Sequence, residues 1–139
     1  MATLVVPMAG RSSRYPNLRP KWMLSHPMSN TFMGIAAIQG LNLDFFDKIY
    51  WVTLKEYQEK YQFEQGYLEE LDQVGLKEKS EIVLLDKETS SQSETVCELI
   101  KKKNIKDFIF IKDSDGYYEC ELKDGSNQVA YFDLNDMDN

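Results

Sequence analysis

A short aliphatic run, Thr3-Leu4-Val5-Val6, is cut off by Pro7 and passes straight into Met8-Ala9-Gly10-Arg11-Ser12-Ser13-Arg14. β-branched and aliphatic residues in so few positions make a buried strand, and a Pro followed by a small Ala-Gly step ends it in a tight loop. That loop offers anion chemistry: backbone N–H groups, the hydroxyls of Ser12 and Ser13, and the guanidinium groups of Arg11 and Arg14. A guanidinium meets phosphate oxygens as a bidentate fork. The ammonium of Lys21, within Pro20-Lys21-Trp22-Met23-Leu24, is a mobile point charge. Arg14 and Lys21 are thereby placed to bracket a polyphosphate. A plain strand-to-loop turn carrying Gly, Ser and Arg satisfies the same spacing.

Strands and helices then alternate. Residues 30–41 read as a helix capped by Asn30, with Phe32, Ile35, Ala36 and Ile38 at helical spacing, and with Gly34 and Gly40 permitting close packing. A second strand over residues 48–53 takes its bulk from Ile49, Trp51 and Val52. It leads into an acidic helical region whose apolar stripe is Tyr57, Tyr61, Leu68, Leu71 and Val74, stopped by Gly75. The aromatic residues there are core packing groups or base-stacking platforms. A third strand, residues 81–85, enters the loop Thr89-Ser90-Ser91-Gln92-Ser93. The next helix opens with a capping box of Ser91 and Glu94 and buries Val96, Leu99 and Ile100. The run Phe108–Ile111 is continuously apolar, as expected of a central parallel strand covered on both faces. Alternation of this kind predicts a three-layer α/β/α sandwich around a mainly parallel sheet. Ligands of such sheets bind beyond the carboxyl ends of the strands, where both the arginine loop and the Asp113-Ser114-Asp115 loop emerge.

Asp113 and Asp115 can both reach a hard cation, and magnesium favours one or two carboxylates supplemented by waters and phosphates. The same Asp-Ser-Asp-Gly string also forms a turn without any ion. Gln92 has an amide that donates and accepts at once, suited to a nucleobase edge, although the residues around it also serve to cap the helix.

With 139 residues the chain reads as one domain, 1–139, and 42% hydrophobic with 28% charged residues is a globular composition. Its net charge of −7 argues against a nucleic-acid partner, because counterion release needs a basic surface. Lys101, Lys102, Lys103 and Lys106 belong to a solvated helix end, where cations meet the negative end of the macrodipole. No apolar run approaches the ~20 residues of a membrane span and no basic-then-apolar leader is present, so a cytoplasmic location without membrane association is expected. Cys97 and Cys120 read as reduced thiols, and His26 as a loop residue without a catalytic part.

In this order the motifs resemble the signature of the nucleotidyltransferases that activate sugar phosphates, Ala-Gly-x-Gly-Ser/Thr-Arg followed by Pro-Lys and a hydrophobic residue. Gly10, Ser13, Arg14, Pro20 and Lys21 match, and Ser12 stands where that family has its second glycine. The resemblance continues through Thr89-Ser90-Ser91-Gln92-Ser93-Glu94-Thr95 to Lys112-Asp113-Ser114-Asp115, covering most of the chain. It implies a Rossmann-like, nucleotide-diphospho-sugar transferase-like fold that is incomplete at the C-terminus, since members of the family continue further; residues 128–134 read as one more strand. It also implies transfer of a nucleotidyl group from a nucleoside triphosphate to a sugar phosphate or related phosphomonoester, with release of pyrophosphate, for polysaccharide or capsule precursors. By that likeness Ala9, Gly10, Arg11, Ser12, Ser13, Arg14, Lys21 and Gln92 bind nucleotide, and Arg14 and Lys21 act in catalysis. Mg2+ is held by Asp115, with Asp113 as the alternate. A homo-oligomer is compatible with the sequence. Two other readings stand beside this one: a non-catalytic nucleotide-binding module or fragment, and a metal-dependent glycosyltransferase using the Asp113-x-Asp115 pair.

Overall fold

The computed structural model describes residues 2–9, 21–23, 32–89, 91–105 and 108–112, with Lys21 and Phe108 defined by their backbone. Four strands form one parallel sheet: β1 (Ala2–Pro7), β2 (Phe46–Leu54), β3 (Ser80–Leu85) and β4 (Phe108–Ile111), in the order β3-β2-β1-β4. Every residue of β1 is buried, as its β-branched and aliphatic run requires of a strand covered on both faces and paired on both edges. β2 is buried from Trp51 to Leu54.

The connections are α1 (Met33–Ala37) between β1 and β2, α2 (Lys55–Tyr61) and α3 (Glu64–Gln73) between β2 and β3, and α4 (Gln92–Lys103) between β3 and β4. Trp51 meets Tyr67 of α3 edge-on at 5.2 Å between ring centroids, which fixes α3 on the Trp51 face of the sheet. Glu81 is level with Tyr50, the neighbour of Trp51 on the opposite face, and pairs with Lys103 of α4 and with Lys48 at 3.3 Å. These contacts put α4 on the other face. The three-layer α/β/α sandwich expected from the alternation is the observed architecture. No helix among the described residues is long and apolar enough to cross a membrane.

Several local expectations are corrected. α1 spans only Met33–Ala37, preceded by Phe32 in extended backbone, and its cap hydrogen bonds close tight three-residue turns; Asn30 lies outside the described residues. The Phe32 N–H is satisfied by Glu70 Oε2 at 2.9 Å, a tertiary contact. The acidic region is two helices because Gln62 adopts the left-handed conformation, φ 48°, and ends α2. Val74 lies beyond the end of α3 and is 40% exposed, so the apolar stripe stops at Leu71. Ile111 is 51% exposed, where a strand covered on both faces was expected. Among the described strands β4 pairs with β1, and β1 and β2 each have a neighbour on both edges. The expected strand over residues 128–134 lies outside the described residues.

Candidate functional site

The site begins with connectivity. From β1 the chain steps to β2 and on to β3, then returns across the sheet to place β4 on the far side of β1. Strand order therefore reverses between β1 and β4, and α3 and α4 cover opposite faces of the sheet. A crevice opens at the carboxyl ends of strands where this happens. β1 runs out there into Met8 and Ala9, and β4 into Lys112.

Met8 is held firmly. Its N–H donates to Val52 O at 2.6 Å, and its carbonyl accepts from the buried Thr53 hydroxyl at 3.0 Å. A buried side-chain hydrogen bond contributes about 1 kcal/mol net, and more is lost when one partner is left unsatisfied. The Met8 thioether is 3.7 Å from Tyr67 Oη. Ala9, next in line, is 1% exposed. The glycine loop is thus launched from a backbone that β2 and α3 both grip.

The second segment, the 3-10 turn Lys21–Met23, is anchored by Trp22. Its indole packs edge-on against Phe63 at 4.9 Å, Tyr67 at 5.7 Å and Tyr57 at 6.3 Å. Aromatic pairs in this geometry contribute roughly 0.5–1.5 kcal/mol each beyond the area they bury. Of the stripe aromatics, Tyr57 is buried here as a packing group. Tyr67 touches both the Met8 and the Trp22 segment and so fixes their separation. Burial, and then the nearby Glu70 carboxylate, push its phenol well above the ordinary value of 10.0. Gly34 makes room for it: a Cβ there would lie 2.6 Å from Tyr67 Oη.

Gln92 is exposed and is the first residue of α4. Ser91 Oγ accepts from the Glu94 N–H at 3.1 Å, so the cap expected from the sequence is formed. Thr89 and Thr95 share a buried hydroxyl–hydroxyl bond of 2.6 Å that ties the loop to the helix. Of the residues expected at the site, Ala9, Lys21 and Gln92 are described. Gly10, Arg11, Ser12, Ser13, Arg14, Asp113 and Asp115 lie outside the described residues. Among the described residues there is no cluster of His, Cys, Asp and Glu able to hold a metal.

Sequence reasoning gave no part to Thr53 or Tyr67, and took Lys112 only as the first residue of the motif Lys112-Asp113-Ser114-Asp115. Lys112 is 3% exposed and its N–H donates to Val5 O at 3.0 Å. A charged residue closing an apolar strand was the available signal.

No protein-family model matches the sequence. No curated protein matches it either. Among solved structures, the fold is similar to the nucleoside-diphosphate-sugar pyrophosphorylase from Vibrio cholerae RC9, with a TM-score of 0.57 and 24% identity. That match covers 81% of this chain and 47% of the other, so the chain spans about half the length of its structural neighbour.

Proposed function

We propose that the chain carries the nucleotide half-site of a nucleotidyltransferase that moves a nucleoside monophosphate from a triphosphate to a sugar phosphate or a related phosphomonoester. The observation that supports this reading is the reversal of strand order between β1 and β4, the two strands that in the sequence precede the glycine and aspartate motifs, in a fold similar to that of a pyrophosphorylase. The backbone of Ala9 and Gly10, with Arg11, Ser12 and Ser13, cradles the phosphates, and Gln92 reads the base edge.

An oxygen of the acceptor phosphate attacks the α-phosphorus. The bond from that phosphorus to the bridging oxygen breaks, and pyrophosphate leaves. The acceptor already carries its nucleophilic oxygen, so positioning and charge neutralisation supply the catalysis. Arg14 holds the departing phosphates, and Lys21 balances charge near the α-phosphate. Asp115, with Asp113, offers hard oxygen donors one and three residues beyond Lys112, a donor set that suits Mg2+. When bound, the ion would neutralise phosphate charge. The products are expected to serve polysaccharide or capsule precursor synthesis in the cytoplasm.

Each common nucleoside triphosphate should be incubated with the chain, magnesium and a panel of sugar 1-phosphates while pyrophosphate is measured. Pyrophosphate release that disappears in Lys21→Ala and Asp115→Ala is the expected result. Undiminished activity of Lys21→Ala would sink the mechanism. Triphosphate binding without product from any acceptor would favour a non-catalytic nucleotide-binding module, and sugar transfer without pyrophosphate a glycosyltransferase.

A further inference from the structure

The end of α3 breaks a rule that α2 and α4 keep. Lys60 stands in the last turn of α2, and Lys101, Lys102 and Lys103 in that of α4, cations that meet the negative end of the macrodipole. α3 has no basic residue in its last turn and carries Glu69, Glu70 and Asp72 over residues 69–73. Glu70 has a structural task, since it accepts the Phe32 N–H. Glu69 and Asp72 are exposed and three residues apart, which makes them neighbours on the helix surface. They repel each other as well as the helix end.

Glu69 also lines a groove of about 500 Å³, together with Gln58, Glu64, Gln65, Leu68 and Lys77. The local fold sets its walls. Gln58 Oε1 accepts the Glu64 N–H at 3.0 Å, which closes the junction between α2 and α3. After α3 the chain turns at Gly75, φ 78°, and the Leu76 N–H donates to Leu71 O at 2.8 Å, which brings the 3-10 turn Lys77–Lys79 back against the helix. Tyr67 and Leu71, on the inner side of α3, are fully buried and hold it to the sheet. Leu68 is half-buried and gives the groove an apolar patch, while two carboxylates against one ammonium leave its lining net negative.

We infer that the groove along α3 is the docking surface for a basic segment of a partner protein, whose lysine or arginine side chains meet Glu64, Glu69 and Asp72 and whose aliphatic side chain rests on Leu68. The inference stands apart from the nucleotide reading of the crevice. Charge complementarity selects the occupant: a chain of net charge −7 draws in a basic segment and repels a second copy of itself, a nucleic acid or an anionic bilayer. A cation seated beside Glu69 and Asp72 also supplies the counter-charge that the end of α3 lacks. The carboxylates are exposed, so the contact is weak and sensitive to salt.

The test titrates the isotope-labelled full chain with the peptide acetyl-Lys-Lys-Leu-Lys-Lys-amide and, as controls, with the same peptide carrying glutamate for lysine or serine for leucine. Amide shifts should saturate, stay within residues 58–77, and fade at about 0.5 M salt, where exposed charges are screened. The double variant Glu69→Gln/Asp72→Asn should weaken binding about fivefold, as loss of two exposed ion pairs implies, whereas Glu98→Gln on α4 should leave it unchanged. The serine peptide should bind more weakly than the leucine peptide. Equal affinity for the lysine and glutamate peptides, shifts centred elsewhere, or equal losses in Glu98→Gln and in the double variant would overturn the inference, the last because it marks attraction to net charge alone. The double variant should also resist urea at least as well as the unaltered chain, since it removes repulsion from the helix end. A lower urea midpoint would show that these carboxylates serve the fold, and would overturn the inference. So would sedimentation showing self-association of the unaltered chain that the double variant abolishes, for the occupant would then be a second copy.

Discussion

Gly34→Ala tests whether Tyr67 fixes the separation of the two candidate phosphate-binding segments. The new Cβ would stand 2.6 Å from Tyr67 Oη, and reaching the 3.4 Å that separates it from Met8 Sδ and Trp22 Cβ needs a displacement of about 0.8 Å. Tyr67 has nowhere to go: it is fully buried, with Phe32, Trp51, Trp22 and Phe63 at 5.1, 5.2, 5.7 and 6.1 Å. Overpacking of this kind costs roughly 1–3 kcal/mol. Replacing a helical glycine with alanine returns about 0.5–1 kcal/mol, which leaves a net loss of about 1–2 kcal/mol. In a Tyr67→Phe background the clashing oxygen is gone and the nearest remaining contacts are the two at 3.4 Å. Gly34→Ala should there be neutral or slightly stabilising. The double-mutant cycle should accordingly give a coupling of roughly 1.5–2 kcal/mol, read from urea unfolding followed by circular dichroism. Because α1 presses on Met8 and Trp22 as well, triphosphate affinity should fall in Gly34→Ala and recover in the double variant. Equal destabilisation by Gly34→Ala in both backgrounds would refute the reasoning, as it would show that the clash is relieved elsewhere.

Thr53→Val keeps the shape of a fully buried side chain and removes the donor to Met8 O, so it should cost about 1–3 kcal/mol in urea unfolding; an unchanged midpoint would show that water or a backbone group replaces the bond. The raised phenol of Tyr67 fixes a sign with pH: its contribution is fully present below the ordinary value of 10.0 and is lost as pH rises toward the folded value. Above about pH 10 the unaltered chain should lose roughly 1.4 kcal/mol per pH unit more than Tyr67→Phe, and parallel alkaline profiles would contradict the burial of that hydroxyl. Ser91→Ala removes the acceptor for Glu94 N–H and should cost about 1 kcal/mol, with the loss confined to the start of α4 in hydrogen exchange.

The fold was legible where a single local signal decided it. β1 is a β-branched and aliphatic run and β4 an unbroken apolar one, and the Ser91 cap is written in the residues that form it. What escaped depended on tertiary partners. The break between α2 and α3 falls on Gln62, which accepts a positive φ as its N–H closes the last turn onto Gln58 O, although no glycine marks the place. α1 is shorter than its periodicity suggests because Glu70 of another helix takes the Phe32 N–H where a local cap was expected. The place of β4 beside β1 follows from which strand pairs with which, and an apolar run of four residues carries no record of that.

The candidate site divides along the same line. Its loop residues, from Gly10 to Arg14 with Lys21, Gln92 and Asp115, are readable because side-chain chemistry and spacing suffice to suggest them. Thr53 and Tyr67 are not readable in that way, because their parts depend on what they are buried against. A hydroxyl in β2 matters only since β1 ends beside it. The framework also explains how two short segments can be set with precision: Met8 is tied through its N–H, its carbonyl and its thioether, and Trp22 by three rings. Placement matters because effective charge neutralisation at a reacting phosphate requires donors already in position before the ligand arrives. Substitutions in the loop should therefore remove individual contacts to the anion, whereas substitutions at Tyr67 should move both segments and weaken every phosphate contact together.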